Sequence, residues 1–221
     1  MIKKAIDQLT SCAERKEIED ALRHIAEIVL KDYILKFGET FVQLIEIEMY
    51  YYNESCYKDT AIHKSEQQRH RYGKVYVHPS GFDICLSDSD DYYLSFLVRS
   101  ARVGNTKVVT SGPINVREAI KRLGVDLEKD LLELIATPVN PHVNVYFATR
   151  KGLGKSVIPE DNAAMLSAAL GVSGKMLIPS GFEKYAYFEL KRRNVHDKET
   201  ADALSREIIG GRVAGIKEFY Q

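Results

Sequence analysis

The fold is decided by the stretch FVQLIEIEMYYY, residues 41–52. It is rich in β-branched and aromatic residues, which is typical of a β-strand. Successive side chains of a strand point to opposite faces. One face therefore carries Ile45, Ile47 and Met49, and the other carries Glu46, Glu48 and Tyr50. Charged side chains are mostly exposed, so the residue types alone favour a solvated outer face. If that face instead lines a pocket, Glu48 is a candidate general base and Tyr50 a platform for stacking.

The composition indicates an ordinary soluble globular protein, with 45% apolar and 28% charged residues in 221. This length suits one domain, 1–221, and the net charge of zero argues against a broad unspecific nucleic-acid surface. Cys12, Cys56 and Cys85 are scattered and form neither a disulfide framework nor a metal motif. No apolar run has the length of a signal peptide or a membrane span. We therefore expect a cytoplasmic monomer that binds no membrane and no metal.

The apolar pattern outside this stretch predicts an α+β fold, a mainly antiparallel sheet flanked by helices. Residues 1–38 read as a helical lead-in, with Ser11 and Glu14 at the spacing of a capping box. A core follows over residues 41–192, and a last helix lies within 193–221. Within the core, the pattern predicts strands at 73–77, 82–86 and 92–101, and helices at 115–123, 127–135 and 161–170.

Several polar residues interrupt these elements. Asp59 and His63 are four residues apart, so they would share one face of a helix, where the carboxylate could orient the imidazole. An i,i+4 polar pair is more often a solvated helix face. Arg99 is a single cation in an apolar strand, which places it either at a solvated strand end or in a polar site. The segment from Arg150 to Lys155 lacks the first glycine of a Walker motif, although its backbone could still approach a phosphate.

Six short segments occur in the order found in the alkyladenine (3-methyladenine) DNA glycosylases, which this chain resembles. They are EIEMY at 46–50, DTAIH at 59–63, GKVYV at 73–77, SFLVRSAR at 95–102, SGPINVREAI at 111–120 and ATRKGL at 148–153. Each segment is unspecific alone, and the ordered set carries the resemblance, which spans residues 41–190. The resemblance implies a methylpurine-DNA-glycosylase-like single domain.

The resemblance also implies an activity. Such hydrolases act in base excision repair: they flip a damaged purine out of DNA and cut its N-glycosidic bond with water, without a metal or cofactor. Carried over to this chain, Glu48 would activate the water and Arg99 would sit beside it. Tyr50 would stack on the base, and His63, held by Asp59, would form part of the pocket.

The resemblance assigns roles to further residues by their position, and some of these residues differ from those of the family. The second stacking tyrosine falls on His78, and the asparagine that helps to hold the water falls near Ser87. Arg69 and Arg71 stand where the family has a longer basic segment, and with Arg150 and Lys155 they are candidates for contacting the nucleic-acid backbone. The aromatic residue that the family wedges into the duplex falls near Pro79 and Ser80, so this chain has no aromatic side chain there. Flipping a base out of a duplex is harder without a wedge, which favours single-stranded or mononucleotide substrates.

Two further hypotheses remain beside this hydrolase. One is a non-catalytic module that keeps the fold and binds a nucleobase, a nucleic acid or a protein. The other is an unrelated α+β domain. The position of Glu48 distinguishes them, because a hydrolase needs it buried and facing Tyr50, His63 and Arg99, whereas an unrelated domain would leave these residues far apart.

Overall fold

The structure is a computed structural model that describes residues 1–69, 71–105, 109–137, 145–148, 150 and 167–170. Of the side chains within these ranges, those of Gln67, Tyr146 and Ala148 and of residues 167–170 are not described. The role predicted for Lys155 and the helix predicted within 193–221 lie outside the described residues.

Three helices are described: α1 (Ile2–Ser11), α2 (Arg15–Asp32) and α3 (Pro113–Arg122). The helical repeat predicted for the lead-in is confirmed, because apolar side chains three or four residues apart on α2 are buried, among them Ile18, Leu22 and Ile25. The predicted capping box is wrong. Helix α2 begins at Arg15, and the Ser11 hydroxyl donates instead to the Gln8 carbonyl at 2.7 Å.

The strands form one sheet in which every described pair is antiparallel. They are β1 (Tyr33–Phe37), β2 (Thr40–Asn53), β3 (Tyr57–Lys58), β4 (Lys74–His78), β5 (Gly81–Cys85), β6 (Tyr92–Val103), β7 (Thr110–Ser111), β8 (Leu132–Ala136), β9 (Val145–Ala148) and β10 (Ser167–Leu170). The main order is β4-β5-β6-β2-β1-β8, with β3 and β10 also on β2, β7 on β6, and β9 on β10. The predicted α+β class with a mainly antiparallel sheet is therefore confirmed.

A bulge on each of the two central strands sets which side chains face the core. The β2–β6 register pairs Leu44 with Ala101, Glu46 with Ser100 and Ile47 with Val98, so it skips Ile45 on β2 and Arg99 on β6. An extra residue shifts the alternation of a strand by one position. The core-facing residues are Val42, Leu44, Ile45, Ile47, Met49 and Tyr51 on β2, and Leu94, Phe96, Val98, Ala101 and Val103 on β6.

Helix α2 packs against β2, β1 and β10, and α1 packs against α2. Their buried apolar side chains join the core-facing side chains of β2 and β6 in one hydrophobic cluster. Helix α3 contacts β5, β6 and β7. The opposite face of β2, which carries Glu48 and Tyr50, is therefore separated from this cluster. No helix in the described part of the chain is both long enough and apolar enough to cross a bilayer.

Three predicted helical segments contain strands. The lead-in over 1–38 ends in a strand, because Leu35 and Phe37 of β1 alternate into the core while β1 pairs with β2 and β8. The segment predicted as a helix at 127–135 contains β8, which pairs with β1 over its whole length. Residues 167–170 of the helix predicted at 161–170 form β10 between β2 and β9. In each case long-range pairing, which no local pattern reveals, outweighs local propensity.

The β4–β5 hairpin is fixed against α3 at one glycine. Gly81 has a φ of +151°, and a Cβ added there would lie 2.8 Å from Pro113 Cβ and 3.1 Å from Leu97 Cδ1.

We expect Gly81→Ala to lower the free energy of unfolding by about 2–5 kcal/mol, because the costs of backbone strain and of overpacking add. Gly73→Ala is the matched control, because Gly73 also has a positive φ, +72°, but open space around it. It should cost about 1–2 kcal/mol. Equal losses in chemical denaturation would contradict the close approach.

Candidate active site

The candidate site lies on the face of the sheet that points away from the core cluster. Residues that oppose each other across a strand pair share a face. Glu48 opposes Leu97, Leu97 opposes Asp83, and Asp83 opposes Tyr76. Four neighbouring strands, β2, β6, β5 and β4, therefore contribute to one surface. Tyr50 on β2 and His78 on β4 lie on this surface too, by alternation.

Glu48 is buried on this face, with an exposed fraction of 1%. Arg99 Nη1 donates to its Oε1 at 2.7 Å, and the Tyr50 hydroxyl donates to its Oε2 at 3.0 Å. The bulge at Arg99 brings this guanidinium to both carboxylates of β2, since its Nε lies 3.6 Å from Glu46 Oε1. Glu46 is itself fully buried and accepts the Ser100 hydroxyl at 2.9 Å. The interpretation of this face as solvated is therefore wrong, and Arg99 lies in a polar site.

Arg150 covers the ring of Tyr50. Its guanidinium carbon lies 4.1 Å from the ring centroid, and Nη1 also donates to the Met49 carbonyl at 3.1 Å. The same guanidinium makes a bidentate ion pair with Asp59 at 2.9 and 2.8 Å. Arg150 is 3% exposed, so its expected role as a contact to the nucleic-acid backbone is wrong. It belongs to the site, where it occupies one face of the tyrosine on which a base was expected to stack.

Asp59 does not orient His63, as the sequence spacing predicted. Residues 59–63 form a turn rather than a helix, and the Asp59 carboxylate is engaged by Arg150 and by the Ala61 amide at 2.9 Å. His63 is exposed, and its Nδ1 lies 3.1 Å from the Tyr76 hydroxyl. An ion pair to a buried guanidinium is a stronger partner for a carboxylate than an exposed imidazole.

A second buried polar cluster surrounds Asp83, which the sequence patterns did not single out. His78 Nε2 lies 3.1 Å from Asp83 Oδ1, and the Ser95 hydroxyl donates to Oδ2 at 3.1 Å. Gln68 Nε2 also approaches Oδ2, at 3.3 Å. In the sequence, Asp83 is visible as the single charge within the apolar segment FDIC. Its hydrogen-bond partners come from three separate segments, so the sequence pattern does not reveal the cluster.

A small cavity lies beside Tyr50 of the first cluster and beside His78 and Asp83 of the second. It measures about 30 Å³ and is lined by Tyr50, Ala61, Ile62, His63, His78 and Asp83. This volume is that of about one water molecule, whereas ligand pockets usually measure about 300 Å³ or more. A purine would therefore enter only after the surrounding side chains move. A larger groove of about 430 Å³ lies at the C-terminal end of α3 and contains none of the predicted site residues.

An aromatic–basic patch, which we define as Tyr52, Lys64, Arg69 and Tyr93, continues the site along β2 and β6. Tyr52 and Tyr93 are cross-strand partners whose ring centroids lie 6.2 Å apart. Lys64 Nζ lies 4.3 Å from the ring centroid of Tyr52, and the Arg69 guanidinium lies 5.2 Å from that of Tyr93. Because Tyr52 is two residues after Tyr50 and Lys64 follows His63, the patch adjoins the cavity.

The remaining predicted residues lie apart from this cluster. The Ser87 hydroxyl is buried between β5 and β6, where it accepts the Leu94 amide at 2.7 Å and lies 3.3 Å from the Leu94 carbonyl. Its role here is to hold the connection between the strands rather than a water. Arg71 is exposed, at the start of the turn that leads into β4. Among the described residues, no group of three or more His, Cys, Asp or Glu is placed to hold a metal ion.

Comparison of the chain with protein-family models, with curated proteins and with solved structures found no match. A function for this chain therefore has to be inferred from the geometry of the site.

The buried pair of Arg150 and Asp59 gives a test of the site's energetics. We expect Arg150→Met to lower the free energy of unfolding by about 3–5 kcal/mol, because it leaves Asp59 as an uncompensated buried charge. The double variant Asp59→Asn/Arg150→Met should recover part of this loss. As a control, Glu133→Gln breaks the exposed pair with Lys36 and should cost less than about 1 kcal/mol. A double variant less stable than Arg150→Met in urea denaturation would contradict the ion pair.

Tyr50 gives a test that depends on pH. Burial, and then the nearby Glu48 carboxylate, raise the pKa of Tyr50 well above its usual value. A raised pKa means that the unfolded state loses its proton first, so the stabilisation is complete below about pH 10 and is lost as the pH rises further. We expect the difference in unfolding free energy between wild type and Tyr50→Phe to be constant below that pH. Above it, the difference should shrink by at most about 1.4 kcal/mol per pH unit. A difference that stays constant up to about pH 11 would contradict the burial of this hydroxyl.

Proposed function

We propose that this protein hydrolyses the N-glycosidic bond of a damaged purine, in DNA or in a related nucleotide, with Glu48 as the base that activates water. The observation that carries the proposal is the convergence of Glu48, Tyr50 and Arg99. They come from two neighbouring strands, and both oxygens of the buried carboxylate are held, by Arg99 at 2.7 Å and by Tyr50 at 3.0 Å. A carboxylate fixed in this way is preorganised, so no energy is spent on orienting it during the reaction.

The chemistry of glycoside cleavage suits this arrangement. As the bond from the sugar to the base breaks, positive charge develops on the sugar, and a nearby carboxylate stabilises it. The same carboxylate takes a proton from the attacking water as the water's oxygen bonds to the anomeric carbon. Arg99 keeps Glu48 in place, and Tyr50 offers a ring beside the reacting base. An electron-poor alkylated purine is favoured by such a ring, as cations are.

The neighbouring surface favours a nucleic-acid or nucleotide ligand. The aromatic–basic patch combines the partly exposed ring of Tyr52 with two cations, beside the buried ring of Tyr93. Proteins bind single-stranded nucleic acids by such a combination of stacking and charge. The β4–β5 turn consists of Pro79 and Ser80 alone, and Arg117 holds it by donating to the His78 carbonyl at 2.9 Å. Since this turn offers no aromatic wedge, we propose a preference for single-stranded or mononucleotide substrates.

A second candidate function is a non-catalytic module that binds a nucleobase. Two observations favour it: the cavity of about 30 Å³ is too small for a purine as it stands, and Arg150 covers one face of Tyr50. Such a module would bind its ligand equally well with a glutamine in place of Glu48, because the amide oxygen can still accept from Arg99 and the amide nitrogen can donate to the Tyr50 oxygen.

The proposed function is tested by release of alkylated purines from methylated DNA, duplex and single-stranded, measured by chromatography. We expect Glu48→Gln to lower the rate by about 100-fold or more, because general base catalysis contributes about 10²–10⁴-fold. Glu46→Gln is the matched control: it removes a second buried carboxylate beside Arg99 from the same strand, and it should cost less than about tenfold.

Denaturation of both variants shows whether they are folded. Equal losses in Glu48→Gln and Glu46→Gln would contradict the role of Glu48. Binding of methylated single-stranded DNA by folded wild type, without any release, would favour the binding module.

A further inference from the structure

The aromatic–basic patch lies beside the cavity but is not part of its lining. None of its four residues is among those that line the cavity. The patch nevertheless adjoins the cavity through Tyr52, which is two residues after Tyr50, and through Lys64, which follows His63. A ligand that fills the cavity and also covers the patch must therefore be longer than one nucleotide.

Lys64 has a strained backbone in this patch. Its φ is +52°, and within the described part of the chain it is the one residue other than glycine with a positive φ. Side chains with a Cβ are unfavourable in this region, and strain of this kind is kept where surrounding contacts fix the backbone, often at functional sites. Both neighbours of Lys64 are fixed, because His63 lines the cavity and Ser65 forms a capping box with Gln68. With this backbone, the ammonium of Lys64 lies 4.3 Å from the ring centroid of Tyr52.

The two cations of the patch are accessible to an anion. Lys64 is exposed and makes no ion pair with another described residue. Arg69 lies 3.7 Å from Glu66, whose side chain is 86% exposed, and an exposed pair of this kind contributes little to stability. Glu54, which accepts a hydrogen bond from the patch, is itself paired with Lys58 at 2.9 Å. A phosphate can therefore approach both cations without breaking a buried ion pair.

We propose that this patch binds the nucleotide next to the one whose base enters the cavity, so that the substrate is an unpaired strand rather than a free nucleotide. The inference rests on the proposed function. Lys64 covers the partly exposed ring of Tyr52, and its flexible stem lets the ammonium move from the ring to a phosphate. The same movement uncovers the ring, on which the neighbouring base then stacks. Arg69, which lies over the ring of Tyr93, contacts a further phosphate of the strand.

Stacking on Tyr52 also discriminates against a duplex. A base within a duplex is paired and lies between its neighbours, so it reaches a protein ring only after it is unstacked. A strand that is already unpaired does not pay this cost and needs no aromatic wedge. The turn of Pro79 and Ser80 and the aromatic–basic patch therefore favour the same ligand, a single strand.

The test uses unmodified deoxyadenosine oligonucleotides of one to six nucleotides, because their binding does not depend on hydrolysis. We expect the dissociation constant of wild type, measured by titration calorimetry, to fall about tenfold or more between one nucleotide and three, since a stacked base and a phosphate contact are added. Tyr52→Leu and Lys64→Asn should each lose most of this gain. Lys64→Arg keeps the charge and should keep the gain.

Two controls separate this role from effects on folding and on net charge. Asparagine tolerates a left-handed backbone better than lysine, so Lys64→Asn should unfold at a urea concentration equal to or higher than that of wild type. Lys121→Gln removes an exposed cation from the last turn of α3 and should change the dissociation constants by less than about twofold.

Equal affinity of wild type for one nucleotide and for longer strands would overturn the inference, and release of methylated purines by the same protein would leave the proposed function standing. Equal losses in Lys64→Asn and Lys121→Gln would also overturn it, because the effect would then be one of net charge. A gain with length that Lys64→Asn loses, together with no release of any base by folded wild type, would support binding of a strand at the patch and overturn the proposed function.

Discussion

The burial of charge on the outer face of the central strands constrains the rest of this structure. The described part of the chain buries four carboxylates, those of Glu46, Glu48, Asp59 and Asp83. A buried carboxylate is tolerated only when cations and hydrogen-bond donors compensate its lost hydration. Arg99 serves the two glutamates, and Arg150 serves Asp59. The bulge that skips Arg99 is what allows one guanidinium to reach both glutamates while Val98 stays in the core. Regular pairing between β2 and β6 is interrupted at this point, and the interruption places Arg99 where it compensates both buried glutamates.

Sequence patterns predicted the parts of the fold and site that depend on neighbours in the chain. Alternation separated Ile47 and Met49 from Glu48 and Tyr50, and the helical repeat identified α2, because each depends only on local geometry. The strand β1 directly follows α2 and is also rich in apolar residues, so the local sequence does not distinguish this strand from a continuation of the helix. The partner of Asp59 is Arg150, 91 residues away in the sequence. Spacing alone predicts the nearer His63 instead, because sequence patterns detect partners only a few residues apart. The cluster around Asp83 was missed for the same reason, since its three partners come from separate segments.

The likeness to alkyladenine glycosylases rested on the order of short segments, and the geometry bears on it unevenly. Glu48, Tyr50 and Arg99 were expected together, and they are in contact. His63 and His78 line the same cavity as Tyr50, although Asp59 turns to Arg150 instead. Asp59 differs from the expectation because Arg150, from a segment far along the chain, pairs with it, and Ser87 differs because the Leu94 backbone engages its hydroxyl.

The two polar clusters both lie beside Tyr50, which donates to Glu48 and lines the small cavity with His78 and Asp83. Each cluster compensates its own buried carboxylate. Glu48 is held by Arg99, and Asp83 is held by His78, Ser95 and Gln68. The turn that carries Ala61, Ile62 and His63 lines the cavity of about 30 Å³, and Asp59 at the start of this turn is paired with Arg150. Because the guanidinium of Arg150 also covers the ring of Tyr50, one side chain fixes both the turn and one wall of the cavity. A change at Arg150 would therefore alter the turn and the exposed face of Tyr50 together.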